Sequence, residues 1–433
     1  MSGFEIGIIG VIFLLLLMIL RMPIAFSMLI SGLAGLAWVL NSKAGLSQTV
    51  FNLWSTFSSY DLSVVPMFVL MGSIAFYAGI SGQLFNTTHK FFGRQPGGLA
   101  LATIFASAGF AAVSGSSNAS AAAMAKVTLP EMKKFNYNDA LATGSVAAGG
   151  TLGILIPPSA LFIIYGVMVQ VSIGKLFLAG IVPGLLLTVL YAIVVAILCW
   201  RNPDLGPPGD ASSWRDKFAS LSGLVDMIVL FGLVMGGLFA GWFTPTQAGA
   251  VGAAGALVIG LIRRSLNLDG LKNSLLDTVK ISVMLYFIVA GALVFGRFMT
   301  ATRFSFELAT WITNLAMPPA AVMGMLIIIY LIGGCFMDSL AMVTLTIPIF
   351  FPIVTTMGFD PIWFGVIIVL VAEIGVITPP VGVNVYVIKG IAPEIPLETI
   401  FRGILPFTIA VLVCIVIVLA FPQLSLFLPG LIG

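Results

Sequence analysis

Two carboxylates stand where the sequence offers them no water. Asp338 lies in GGCFMDSLAM (333–342) and Glu373 in VLVAEIGVITPP (369–380), both otherwise uncharged. An ionised carboxylate at membrane depth is costly unless it is paired or holds a cation. Asp338 reads as functional, while Glu373 reads equally as a structural partner for Arg297, Arg303 or a backbone amide. Close by, TPPV (378–381) repeats a feature of GILIPPSALFIIYG (153–166): two adjacent prolines in apolar sequence. A proline inside a helix removes a hydrogen bond and clashes one turn back, at about 3 kcal/mol, so a pair should break the helix. The freed carbonyls at the end of one half-helix suit a sodium ion, and the amides that start the next suit a carboxylate. The other reading is a proline kink repaired by neighbouring helices. The chemistry on offer is binding of a cation and an anion. No HExxH, histidine cluster or nucleophile with its base argues for an enzyme, and no GxxxxGK[ST] loop argues for ATP.

The elements that must position these groups come in two similar sets. VSGSSNASAAAMA (113–125) gathers hydroxyl and small residues around Asn118, and its two apolar flanks are each too short for a comfortable span. That predicts a re-entrant helical hairpin with its tip at Ser114 to Asn118; a helix interface of small residues is the alternative. The corresponding tip in the second half is 336–340, around Asp338. From Ser116 to Pro157 is 41 residues, and from Asp338 to Pro379 is again 41. From Pro158 to Pro183 is 25 and from Pro380 to Pro406 is 26, although Pro130 to Pro157 is 27 where Pro348 to Pro379 is 31. Weak internal symmetry with interrupted helices at matching places marks secondary transporters.

Composition fixes the class. Of 433 residues, 60% are hydrophobic and 8% charged, with mean hydropathy +1.15; soluble proteins carry about 25% charged residues. Apolar stretches recur at 6–20, 23–40, 62–80, 99–113, 176–199, 223–243, 246–262, 279–296, 320–337, 361–377 and 400–421, most near the length of a bilayer-crossing helix. The chain is expected to be an all-α polytopic membrane protein, its first apolar stretch a retained helix and not a signal peptide. A net charge of +3 gives no reason to expect a nucleic-acid partner. The basic residues collect in short connections (Lys90 and Arg94, Lys133 and Lys134, Arg201, Arg215 and Lys217, Arg263 and Arg264), as in cytoplasmic loops. Cys199, Cys335 and Cys414 have no short spacing and read as packing residues. His89 lies in polar sequence with no partner at ligand spacing.

GTLGILIPPSALFIIYG, with SGSSNASAAA about 40 residues upstream and EIGVITPPVGVNVYVIKG in the second half, resembles the large membrane subunit of tripartite ATP-independent periplasmic (TRAP) transporters. MPIAFSMLISGL and PMFVLMG extend the likeness over essentially the whole chain. The resemblance implies membership of the ion-transporter superfamily of elevator-type carriers in the bacterial inner membrane. It implies two inverted repeats with two hairpins and two broken helices, and a scaffold beside a moving transport domain. The expected division is 1–85 N-terminal scaffold helices, 86–200 first transport repeat, 201–300 central scaffold helices and linker, and 301–433 second transport repeat with the C-terminal helix. It implies coupling to sodium ions without ATP. The implied partners are a separate small four-helix membrane subunit, a periplasmic substrate-binding protein and an organic anion, sialic acid or a C4-dicarboxylate.

Carried over position by position, the resemblance places substrate at Ser116, Ser117, Ser159, Asp338 and Asn384. It places sodium at Ser114, Gly115, Asn118, Pro157, Asp338, Thr378 and Pro379, with the breaks at Pro157–Pro158 and Pro379–Pro380, and Ser339 and Gly382 beside them. Lys126 departs from the expected pattern, a charge in a hairpin arm that should be neutral; a long stem could carry it to an interface. The runner-up reading is a stand-alone sodium- or proton-coupled carboxylate carrier of the same superfamily.

Overall fold

The computed structural model describes residues 1–210, 212–314 and 317–431, and among them every regular element is a helix. Six helical stretches of 18 to 34 residues, together with Asp139–Val169, which contains one of the breaks, are long and apolar enough to cross a bilayer. An eighth arises if Ser42–Phe57 and Asp61–Tyr77, bent by 50° at a short gap, form one span.

Two helix–turn–helix pairs and two broken helices occupy the positions expected for the hairpins and breaks. Helix Gly98–Ser114 turns at Gly115 and Ser116 into Ser117–Lys134, so the apolar stretch 99–113 is a hairpin arm. Asp139–Leu155 then runs to the first proline pair and resumes as Ala160–Val169, followed by the long helix Ile173–Arg201. The second half repeats this order. Pro319–Gly334 turns into Ser339–Thr356; Pro361–Gly375 breaks and resumes as Val383–Ile391; Leu397–Ala420 comes next. The Pro157–Pro158 and Pro379–Pro380 bonds are both cis. The remaining long helices, Gly3–Ile19, Ile24–Val39, Leu268–Ala301 and their neighbours, form a second apolar core around Phe295 and Phe298.

Local chemistry explains where the helices start. Ser116, Asn138, Ser159 and Asp338 each take an extended backbone and accept a hydrogen bond from an amide of the first turn, which meets one of the orphan donors there. Gly115 closes the first tip at φ 67°, a left-handed conformation that suits glycine. Helix 139–155 sits at the centre, with every residue from Leu141 to Leu155 buried. Its sequence, DALATGSVAAGGTLGIL, is dominated by small side chains, so neighbouring helices approach its backbone closely. At its crossing with Leu397–Ala420, a side chain on Gly403 would collide with the Ala140 carbonyl, and one on Gly144 with the Gly403 carbonyl.

That crossing is tested by Gly403→Ala. Because the obstacle is backbone, the helices must part, and overpacking of this kind costs about 1–3 kcal/mol. The purified protein should melt several degrees lower. Gly236→Ala, where an added methyl meets open space, should leave the melting temperature unchanged or raise it slightly.

Candidate functional site

Both tips are tied to the breaks by the same backbone bond. The Gly115 carbonyl accepts from the Ala160 amide at 3.2 Å, and the Cys335 carbonyl accepts from the Val381 amide at 3.3 Å. In each half the donor lies one or two residues beyond the proline pair. Hydroxyls cover the carbonyls that the breaks set free. Ser159 Oγ donates to the Ile154 carbonyl at 2.5 Å and Thr378 Oγ1 to the Ile374 carbonyl at 2.8 Å. Close backbone approach completes the junctions. A methyl on Gly153 would lie 2.5 Å from the Ser116 carbonyl, and one on Gly375 would lie 2.5 Å from Gly334.

The tips themselves differ. At the first, Ser114 Oγ donates to the Ser116 carbonyl (3.2 Å) and accepts from Ser120 Oγ (3.0 Å), while Ser116 Oγ caps the next helix through the Ala119 amide (3.4 Å). Every side chain in that network is neutral. At the second tip the cap is a carboxylate: Asp338 accepts from the Leu340 amide at 3.1 Å. The two halves are pinned together by Asn384, whose Nδ2 donates to Ser117 Oγ at 2.8 Å and to the Ala147 carbonyl at 3.4 Å.

One cavity of about 280 Å³ takes in both tips. Ser114, Gly115, Ser116, Ser117 and Asn118 line it from the first, and Asp338 and Ser339 from the second. Ser159 and Asn384, expected at the substrate, are fully buried and absent from the cavity wall; Asn384 holds the first tip through Ser117, and Ser159 bonds within the first break. Pro157, Pro158, Thr378, Pro379 and Pro380 are likewise absent from the cavity wall; they shape the breaks against which the tips rest.

The far wall holds residues that sequence reasoning passed over. Ser73, Phe76, Tyr77 and Asp277 face the tips across the cavity, and Tyr77 Oη donates to Asp277 at 2.8 Å. Asp277 sits between Lys272 and Lys280, a pattern that reads as a water-facing helix end; the one available signal was an acid near the start of a long apolar helix. Lys126, noticed as a departure, points into this cavity with its ammonium 5.4 Å from the Phe76 ring centre. It also borders a second cavity of about 460 Å³. That space runs past Leu129, Lys133 and Tyr137 to Ile391–Ile395, where an exposed Lys133–Glu394 ion pair (3.2 Å) stands at the rim.

Among the buried side-chain atoms without a hydrogen-bond partner in the described residues, two groups stand near the tips and the second break. Neither oxygen of Glu373 has a hydrogen bond, nor does Asn118 Oδ1. Glu373 is fully buried in the helix that ends at the second break. A carboxyl in that setting must be neutral or hold a cation. No cluster of three acidic, histidine or cysteine side chains forms among the described residues, so a sodium ion here would be held by hydroxyls and carbonyls, with Asp338 as the one charge at the tips.

Comparison with known proteins shows the family. Residues 11–424 match the family model for the tripartite ATP-independent periplasmic transporter, DctM component. The C4-dicarboxylate TRAP transporter large permease protein DctM of Pseudomonas aeruginosa is 37% identical over 93% of this chain and 94% of its own length. The sialic acid TRAP transporter large permease protein SiaM of Vibrio cholerae is 33% identical over 100% of this chain and 99% of its own. Among solved structures, the Alcanivorax borkumensis YdaH transporter shares the fold at TM-score 0.54 and 15% identity, over 90% of this chain and 89% of that one.

The bond between the halves is tested by a double-mutant cycle. Ser117→Ala and Asn384→Ala should each lower the unfolding free energy by about 1–3 kcal/mol, since each strands a buried polar partner. Together they should fall short of the sum by roughly 0.5–3 kcal/mol, read from thermal or denaturant unfolding in detergent. Additive losses would mean that the two side chains do not act on each other.

Proposed function

The chain belongs to the family of the DctM component of tripartite ATP-independent periplasmic transporters, a multi-pass protein of the inner membrane, and on that premise we propose that it imports an organic anion by sodium-coupled secondary transport. The substrate is a C4-dicarboxylate or sialic acid, the compounds named for its relatives. A periplasmic binding protein delivers it, and a separate small four-helix subunit completes the membrane assembly. The observation that carries this reading is the cavity in which the neutral, hydroxyl-lined first tip faces Asp338 at the second.

The division of labour comes from charge. Helix 117–134 begins at the first tip with a neutral cap, leaving the positive end of its dipole free to meet a carboxylate. Asp338 already occupies the equivalent amides at the second tip, so an anion is disfavoured there and a sodium ion favoured. Sodium near Asp338 and the Asn118 carboxamide makes the neighbouring anion site more favourable. Differential affinity between the loaded and empty states then couples the two gradients. Hydrolysis of ATP has no place in this scheme.

The loops support an orientation. The turns at 92–98, 134–139 and 202–209 are bonded to one another at one end of the molecule, and near them Ser220 accepts from Thr87 Oγ1 in the helix Ile80–Phe92. There Gly97 donates to the Gly206 carbonyl, Asn138 to Leu205 and Gly209 to Gly93; Arg263 pairs with Asp226 beside Ser222. The basic clusters at 90–94, 133–134, 215–217 and 263–264 therefore share that end, which the positive-inside rule places in the cytoplasm. The hairpin 98–134 enters from the cytoplasmic side. The cavity past Lys133 is its route out, with the tips and breaks sliding as one body past 1–85 and 201–300.

Reconstitution tests the whole reading. Proteoliposomes holding this chain, its small partner and the cognate binding protein should take up labelled succinate or N-acetylneuraminate under an inward sodium gradient, and only with the binding protein present. Asp338→Asn should cut the sodium-driven rate at least tenfold while the assembly stays intact. Uptake without the binding protein would instead establish the stand-alone carrier, and a rate indifferent to sodium would overturn the coupling.

A further inference from the structure

We infer that Lys126 is a second anion-binding group of the substrate cavity and that the substrate is a dianion, a small dicarboxylate and not a sugar acid with a single carboxylate. The inference rests on the transporter reading above and sharpens it. Ala119, Ala122 and Lys126 all line the cavity, and their spacing places them on one stripe of helix 117–134. The ammonium is thus on the same face as the amides of the first tip. It is exposed and makes no ion pair among the described residues; its ammonium lies over the face of Phe76. Asp277, on the opposite wall, accepts from Tyr77 and forms no ion pair with Lys126.

A cation in a hairpin arm that enters the membrane faces a watery cavity because lipid will not accept it, and one left unpaired there attracts anions. The α-carbons of Ser117 and Lys126 are separated by about 13 Å along the axis at the helical rise. Helical side chains lean back towards the N-terminus, so the ammonium stands well short of that distance from the tip. The two ends of the cavity thus offer two separated anion-binding groups, the helix N-terminus and the lysine. A short extended diacid satisfies both, whereas a sugar acid places hydroxyls opposite the lysine. The volume agrees: about 280 Å³ lies at the lower limit of small-molecule sites, roughly 300–1,000 Å³, which favours a small acid over a nine-carbon one.

The test compares succinate with succinamate, which has nearly the same shape and one charge fewer. Binding to the purified complex of large and small subunits in sodium buffer is read from the concentration dependence of its melting temperature. The wild type should bind succinate at least tenfold more tightly than succinamate. Lys126→Gln should abolish that ratio by weakening succinate alone, and Lys126→Arg should keep it. Survival of the ratio in Lys126→Gln, or a wild type that does not distinguish the two ligands, would overturn the inference. A wild type that binds N-acetylneuraminate and not succinate would overturn the dianion assignment and leave the transporter reading standing. Loss of sodium-driven uptake of every anion in the reconstituted system would remove that reading, and this inference with it.

Discussion

The structure depends on one bond made twice, from an amide just beyond a proline pair to a carbonyl at a hairpin tip. Breaking a helix within the bilayer exposes amides and carbonyls that lipid cannot satisfy. At Ala160 and at Val381 the freed amide is met by the opposing tip, through the carbonyls of Gly115 and Cys335. Neither the tip nor the break could therefore persist alone at membrane depth. Each hairpin is the solvent of its broken helix. With Asn384 joining Ser117 across the halves, the four irregular segments become a single polar unit inside an apolar protein.

That unit requires close backbone approach, which accounts for the composition of its centre. Helix 139–155 can touch both arms of the first hairpin and the helix 397–420 only because the ridges it packs against them are rich in glycine, alanine and serine. Its backbone contacts are close, which makes the helix and its neighbours one tightly packed unit. The far wall of the cavity is different. Phe68, Phe76, Ile281 and Leu285 present apolar surface to the tips, and the hydrogen bond that Tyr77 makes there goes to Asp277 on the same wall. A rigid polar unit facing a largely apolar wall can shift along it without stranding buried donors and acceptors. An elevator movement has that physical requirement.

Much of this was legible in the sequence because membrane-embedded polarity is rare enough to be noticed. Two proline pairs, a serine-rich tip and Asp338 interrupt apolar runs, and the equal spacing of 41 residues linked them. The apolar stretches 99–113 and 320–337 became hairpin arms and not spans, a difference set by the tight turns at their C-terminal ends and not by hydropathy. Side-chain direction was not legible. Ser159 and Asn384 belong to the right motifs, yet packing buries them away from the cavity wall. Asp277 escaped notice because lysines on both sides make it look water-facing, and Tyr77 because it is one aromatic residue among many in an apolar stretch. Only the fold brings positions 200 residues apart together.

The asymmetry between the tips is the last consequence. Two halves built to one plan would offer the same ligand twice, and a symmetric site for two anions or two cations could not couple one gradient to the other. The plan is kept in the backbone and broken in the caps. Ser116 caps its helix without charge, while Asp338 caps its counterpart with one. A helix N-terminus carries roughly half a positive charge, left available at the first tip and overcompensated by the carboxylate at the second. One cavity thereby acquires an anion-seeking and a cation-seeking end within reach of each other. On the transport reading proposed above, each ion lowers the cost of holding the other, and that mutual dependence is the thermodynamic content of coupling.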